Sequence, residues 1–390
     1  MRKGVIVFKK LKLFLKTISI HTIDTMSIQK NILLLIDPQE DFMDKAETFM
    51  RCAAKPSSGL PVINSMNDIN RIIAMITRDV ECFKKHGYCY FDEIHLTMDS
   101  HLSIHIGHYG FWKRVDGISV EPGVVFMLNE KNEIVNANEI GDALPGTVVY
   151  EAHEPFLQSW AVKYIQRMIT VEKIHPLIWN THCIRHSDGW QIEESLFDII
   201  RIWATTTKKS VFIHEKGENI LCEMYSVMRA VIPFEEMIQE FDETARAQII
   251  DYTCLPSEIP PLPAIIPISF DHDNKSSIVN YSTRCNKVLF EHLCGTVKAP
   301  NRVFVGGQAK SHCVNRSVRD IVECIEATPG LRTDRIVILE DVMSNVVLPD
   351  TLKGSEGLNY QFKTDGDTFI RNMVSKGVRV IRTIDVFPLP

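Results

Sequence analysis

Residues 302–325, RVFVGGQAKSHCVNRSVRDIVECI, decide the fold. Val303, Phe304 and Val305 read as a short buried strand, Gly306 and Gly307 break it, and helical spacing resumes from about Ser311. Cys313 therefore falls where strand turns into helix. Backbone N–H groups at the start of a helix carry partial positive charge, which favours a thiolate and can hold the oxygen of a tetrahedral intermediate. The two glycines let backbone approach a ligand closely. Most free cysteines are simply small buried hydrophobes, so the rest of the chain has to decide what Cys313 does.

Working outward, residues 31–36 (NILLLI) form a continuous apolar run, the pattern of a parallel strand covered on both faces. Pro38 stops it and leaves Asp37 at its carboxyl end. Further strands are expected at 93–97, 146–150, 174–179, 210–214, 335–339 and 378–383. Helical spacing covers 61–85, 155–169, 193–208, 234–250 and 367–376. Strands alternating with helices predict an α/β fold, a three-layer α/β/α arrangement around a mostly parallel sheet. Ligands of such sheets sit outside the carboxyl ends of the strands. Asp37, Asp99, Lys216 and Cys313 each follow a predicted strand, so four reactive side chains are expected to meet in one crevice.

The chain has 390 residues, 45% of them hydrophobic and 24% charged, a globular composition. A net charge of −6 gives no general attraction to nucleic acid. Ten cysteines without a C-x-x-C pair suggest neither a zinc ribbon nor a disulfide framework, and point to a reducing, cytoplasmic compartment. Residues 27–390 are expected to form one domain carrying two large insertions, at about 107–173 and 231–300. These blocks would reshape the pocket, cover it or build a homo-oligomer interface, with the proline-rich stretch 255–267 as loop or cover. Residues 1–26 are read as a basic extension, with Arg2, Lys3, Lys9, Lys10, Lys12 and Lys16 preceding the first acidic residue, Asp24. An amphipathic helix over 1–20 would direct the chain to mitochondria or a membrane surface, and Met26 is an alternative start. No stretch is long and apolar enough for a transmembrane helix.

An aspartate, a lysine and a cysteine together suit acyl transfer through a thioester. Cys313 would be the nucleophile, and the Lys216 ammonium would favour its anion. Asp37 would take the thiol proton and return it to a leaving amine. The N–H groups of Ala309 and Cys313 would form an oxyanion hole. Asp99 and His101, two residues apart on an extended segment, point to the same side and can bind one ion, with His182 as third ligand. Oxygen and nitrogen donors without thiolate suit a divalent metal: zinc first, with iron or manganese also fitting. His105 and His108 are spare candidates, expected as solvent-exposed loop histidines. Cys183 is expected to pack rather than coordinate.

Together these segments resemble the nicotinamidase branch of the isochorismatase-like cysteine hydrolases. Asp37-Pro38-Gln39-Glu40-Asp41-Phe42 looks like that family's D-x-Q-x-D-F opening. Asp99-Ser100-His101 followed by His105 is similar to D-W-H-P-x-N-H, and Trp179-Asn180-Thr181-His182-Cys183 to W-P-x-H-C. Lys216-Gly217 with Tyr225-Ser226 resembles K-G…Y-S, and the run from Gly307 to Val314 resembles G-x-A-x-x-x-C-V. The resemblance implies an isochorismatase-like fold, a triad of Asp37, Lys216 and Cys313, and metal ligands Asp99, His101 and His182. It further implies a metal ion on the pyridine nitrogen of nicotinamide, Phe42 and Trp179 flanking the ring, and a cis peptide before Ala309. The products would be nicotinate and ammonia, a step of NAD salvage. Asn180, Ser100 and the Ser311-His312 pair depart from the family pattern, and the chain is much longer than is usual there. The alternatives are a metal-independent relative acting on another small amide or ester, and a non-catalytic scaffold.

Overall fold

The computed structural model describes residues 30–54, 58–253, 282–349 and 354–387. The basic segment 1–26 and the proline-rich stretch 255–267 lie outside the described residues. In chain order the strands are β1 (Asn31–Ile36), β2 (Glu93–Asp99), β3 (Trp112–Arg114), β4 (Phe126–Leu128), β5 (Ile134–Asn136), β6 (Val149–Ala152) and β7 (Ser210–Lys216). The short pair β8 (Gly295–Thr296) and β9 (Ala299–Pro300) follows, then β10 (Arg302–Gly307), β11 (Ile336–Leu339) and β12 (Arg379–Ile381).

Six strands make the central sheet in the order β12-β11-β10-β1-β2-β7, and every neighbouring pair is parallel. β1 shows why the run 31–36 has no polar member. Leu33 and Leu35 point to one face, where they join Ile69, Ile72 and Ile76 of helix Ser65–His86 and Leu196, Ile200 and Trp203 of helix Glu194–Thr207. Ile32, Leu34 and Ile36 point to the other. There they meet Leu289 and Leu293 of helix Lys287–Cys294, Val318 and Ile321 of Asn315–Glu326, and Phe369 and Met373 of Ser355–Ser375. The three layers follow directly.

From β1 the chain builds outward through β2 to β7, then returns to the opposite side of β1 as β10. The strand order thus reverses between β1 and β10, which places the crevice at their carboxyl ends. Gly307 permits the close pairing there. Its φ is +116°, and a Cβ at this position would lie 2.1 Å from the Ile36 carbonyl oxygen.

Three expected elements differ. Residues 174–179 are not a sheet strand. Pro176 has no N–H to donate, and the segment instead makes single bridges, Leu177 to Val125 and Trp179 to His108. The helix expected over 234–250 is broken into Phe234–Met237, Ile238–Glu240 and Glu243–Tyr252, the last opened by Asp242 accepting from the Ala245 N–H at 2.9 Å. The last helix starts earlier than expected, at Ser355, because its first turns bury little and so show weak apolar spacing.

The first irregular block forms a four-stranded antiparallel sheet, β3-β6-β5-β4, backed by helix Gln158–Thr170. Its core contains Trp112, Phe126, Tyr150, Trp160 and Tyr164, and the same cluster takes in Leu221, Ile232, Phe234, Met237 and Ile249 from beyond β7. Two stretches separated in sequence therefore share one core. Trp160 is its centre: fully buried, 5.1 Å from the Phe234 ring and 5.5 Å from Phe241, with its indole N–H donating to the Leu221 carbonyl at 3.1 Å. Trp160→Ala is expected to cost about 3–5 kcal/mol in urea unfolding. Amide exchange should show protection lost over 234–252 as well as around the mutated helix.

Candidate active site

Each reactive side chain is placed by the end of a strand. Asp37 follows β1 with φ of 44°, Asp99 and Lys216 end β2 and β7, and Cys313 lies in the π-helical turn Lys310–Val314 between β10 and helix Asn315–Glu326. β2 and β7 pair in register so that Asp99 sits opposite Lys216. The Gln308–Ala309 peptide is cis. The N–H groups of His312 and Val314 both donate to the Ala309 carbonyl, at 3.0 and 3.1 Å, the second closing the wide turn that carries Cys313.

The four groups meet. The Lys216 Nζ lies 3.0 Å from Asp37 Oδ2, 3.0 Å from Asp99 Oδ1, 3.1 Å from the Met224 carbonyl oxygen and 3.8 Å from Cys313 Sγ. All four residues are buried. Burial pushes the Asp37 carboxyl up, with Asp99 adding and Lys216 opposing. At Asp99 burial acts upward too, but His101 and Lys216 outweigh it and hold the carboxyl well below its usual range. Burial acts against the Lys216 ammonium, yet Asp37, Asp99 and Cys313 hold it well above its ordinary value. The Cys313 thiol is pushed well up, first by burial and then by Asp37 and Asp99, with Lys216 pulling the other way. Lys216 thus acts on the thiol in the expected direction, but two carboxylates already share its charge and the net push is upward.

The histidines gather on the other oxygen of Asp99. His101 Nε2 is 3.1 Å and His182 Nε2 3.4 Å from Asp99 Oδ2. The remaining ring nitrogens face carbonyl oxygens: His101 Nδ1 that of Gly217 at 3.1 Å, His182 Nδ1 that of Asn180 at 2.7 Å. A carbonyl can only accept, so each ring carries a proton on Nδ1, which leaves Nε2 as the atom that faces Asp99 Oδ2. Two imidazole nitrogens and a carboxylate oxygen turned towards one another can bind one cation together. His108 lies in the same group, its ligand atom within 4.8 Å of those of His101 and His182, and neither of its buried ring nitrogens has a hydrogen-bond partner. The donor set fits a divalent transition metal.

His105 and His108 are fully buried, not solvent-exposed loop residues as expected. The loop folds inward against the stretch after β7, the Ile106 N–H donating to the Ile220 carbonyl at 2.8 Å, and the His101 and His105 ring centroids are 4.2 Å apart. The two then differ in kind. His105 accepts from the Gly107 N–H at Nδ1 and donates from Nε2 to the Cys222 carbonyl, both at 3.1 Å, so its nitrogens are used in holding the loop. Cys183 is packed in the main core, as expected.

Several residues of the site were not singled out from the sequence. Thr97 donates its hydroxyl to Asp37 Oδ1 and accepts the Asp37 N–H at 3.0 Å. A polar residue two before Asp99, on the same side of the strand, was the available signal. Gln39 clamps the Asp99 backbone at both ends, donating to its carbonyl at 2.8 Å and accepting its N–H at 2.7 Å. Asp41 accepts the Cys183 N–H at 2.8 Å and pairs with Arg51 at 3.0 Å. Glu223 is buried beside the imidazoles, its carboxyl raised by burial. Gly217, at φ of +88°, has no room for a side chain: a Cβ would lie 3.0 Å from Asp99 Oδ1.

Phe42 and Trp179 are both buried. The Phe42 ring is 5.5 Å from that of His182, and Trp179 donates its indole N–H to the Tyr225 hydroxyl at 3.2 Å. Trp179, Tyr225, His312, Arg316 and Phe362 line a cavity of about 550 Å³ that also borders the first block through Val125 and Asn138. Cys313 and Lys216 do not line it. The cavity is therefore a space beside the reactive groups, not the space around them.

No family model and no curated protein sequence matches this chain. Solved structures do. The nicotinamidase/pyrazinamidase of Acinetobacter baumanii matches over 92% of this chain and 99% of its own, with 15% identity and a TM-score of 0.43. The yeast nicotinamidase matches over 90% and 99%, with 15% identity and a TM-score of 0.43. N-carbamoylsarcosine amidase of Thermoplasma acidophilum matches over 91% and 96%, with 12% identity and a TM-score of 0.31. With TM-scores below 0.5, these likenesses say nothing of what this chain binds or turns over.

His312 gives the site a measurable acid response. Its ring packs against Trp179 (5.1 Å), Tyr225 (5.5 Å) and Phe362 (4.8 Å), and burial, with Arg316 adding, pushes the imidazole down to about 3. The unfolded chain binds this proton first on acidification, so the contribution of His312 is present above about pH 6.5 and is lost as pH falls towards 3. Replacing it by an uncharged ring, His312→Phe, is expected to flatten the decline of stability between pH 6 and pH 4. Urea unfolding at a series of pH values reads the slope directly.

Proposed function

We propose that this chain is a cysteine amidohydrolase converting nicotinamide, or a closely similar aromatic amide, to the carboxylic acid and ammonia. One observation carries the reading: a single buried ammonium, that of Lys216, contacts two carboxylates and the sulfur of Cys313, with the imidazoles of His101 and His182 on the far oxygen of one of those carboxylates. Structural ion pairs have no need of a thiol, and packing cysteines have no need of a base.

In the proposed reaction Asp37 takes the Cys313 proton as the sulfur attacks the amide carbon. The N–H groups of Ala309 and Cys313 hold the oxygen of the tetrahedral intermediate. Asp37 returns the proton to the nitrogen, the C–N bond breaks and ammonia leaves, with the acyl group held as a thioester on Cys313. Water, deprotonated by Asp37, attacks the thioester and releases the acid and the thiol. Lys216 keeps its charge throughout, so the site passes through the developing thiolate without a third uncompensated anion. Phe42 and Trp179 would flank the ring of the substrate. His101, His182 and Asp99, with His108 beside them, would hold a divalent ion, zinc by their donor set, which when bound supplies a Lewis acid for a pyridine nitrogen.

Ammonia release from nicotinamide, followed with the metal content of the same samples, tests the reading. Wild type is expected to turn over, and Cys313→Ala to lose at least about 10³-fold in kcat while keeping the wild-type unfolding midpoint. Chelation should lower the rate, and added zinc should restore it. Folded, zinc-loaded wild type that releases no ammonia from nicotinamide or other pyridine carboxamides would sink the proposal.

A further inference from the structure

β2 carries an acidic residue at each end, Glu93 first and Asp99 last, and both are partnered in the same way. At Asp99 one oxygen faces a lysine, Lys216, and the other faces two imidazole Nε2 atoms. At Glu93, Oε1 lies 2.6 Å from Lys30 Nζ, while Oε2 lies 3.0 Å from His292 Nε2 and 3.3 Å from His95 Nε2. The three potential ligand atoms of Glu93, His95 and His292 all lie within 4.8 Å of one another. Ligands of one zinc ion, each about 2.0–2.2 Å from the metal, must lie about that close or a little closer.

We propose that Glu93, His95 and His292 form a second divalent-metal site, suited to zinc, which pins helix Lys287–Cys294 to the amino-terminal end of β2. The supporting groups are those a metal-binding imidazole requires. His95 Nδ1 is 2.9 Å from His214 Nε2 on the neighbouring strand β7, so a His95 ring coordinating through Nε2 donates its other N–H to His214. The Phe212 ring stacks on His95 at 4.6 Å and meets His292 edge-on at 4.9 Å, which walls the group with apolar surface. Glu93 and His95 are buried, whereas the His292 side chain is 37% exposed. One side therefore stays open for an ion to enter and for water to complete the coordination. Asp99 lies four to six positions further along the extended strand, about 13–20 Å, so the group has no part in the chemistry at Cys313. Two imidazoles and one carboxylate from strand and helix make a brace: the ion would fix the helix that brings the chain back to β10.

Metal-stripped protein titrated with zinc chloride tests this. His292→Ala is expected to take up one equivalent fewer than wild type, whatever the number bound at His101 and His182. Zinc should also raise the thermal midpoint of wild type further than that of the variant. The variant in which His101 and His182 are both alanine should still bind one equivalent, and should lose it when His292→Ala is added. Equal uptake by wild type and His292→Ala overturns the proposal even if the active-site ion is present. If His292→Ala does not fold, His292→Gln is read in the same way. A failure of the nicotinamidase reading leaves this result untouched, because the readout is metal uptake and not turnover.

Discussion

The ammonium of Lys216 is the constraint around which the site is built. An isolated charge at 1% exposure would be costly, and removing a partner from such a buried pair typically costs about 3–5 kcal/mol. The chain meets that cost by bringing two carboxylates to 3.0 Å from different strands and a backbone carbonyl to 3.1 Å from the loop after β7. Each partner is itself held. Thr97 fixes Asp37, Gln39 grips the backbone of Asp99, and the glycine at 217 lets the lysine's own strand end turn closely past His101. The parallel register of β2 and β7 sets Asp99 opposite Lys216 before any side chain adjusts. Fold and site are therefore one arrangement: a shift of one residue in that pairing would leave the ammonium with half its compensation.

Two carboxylates on β2 divide their oxygens between a lysine and a pair of imidazoles. Asp99 gives one oxygen to the lysine and the other to imidazoles, and Glu93 repeats the division at the far end of the same strand. An acid shared in this way is held firmly ionised, as the depressed value of Asp99 reflects. It also transmits charge. Whatever occupies the imidazole group is felt at Lys216 through a single carboxylate, and so at the sulfur 3.8 Å beyond.

Much of this was legible in the sequence. Apolar runs ended by Pro38, by the Asp99 loop and by Gly217 located three strand ends, and the glycine pair at 306–307 located the fourth. The parallel three-layer arrangement followed from their alternation with helices. What was not legible came from contacts that spacing does not encode. His105 and His108 lie three residues apart in one loop, and only the fold separates a ring with both nitrogens engaged from one with neither. Thr97 and Gln39 act through hydrogen bonds across sixty positions of sequence. The apolar segment 174–179 resembled a strand because it is buried, but its partners belong to the first irregular block and not to the central sheet. Two blocks that looked like separate interruptions share one core, since burial on either side of β7 leaves no common period to read.

That shared core sets an order of events for the growing chain. Trp160 cannot be enclosed until Phe234 and Phe241 have been synthesised, so the four-stranded sheet waits, half covered, while β7 is made. Contacts so distant in sequence are slow to form and leave apolar surface open in the meantime. The stretch that finally closes this core begins at Ile220, three residues before Glu223 and four before the carbonyl of Met224 that caps the buried lysine. The accessory core and the wall over the buried lysine are thus completed in one step, ahead of the turn that brings in Cys313. A nascent chain halted before residue 234 would carry Asp37, Asp99 and Lys216, but with the wall that keeps them dry still unanchored.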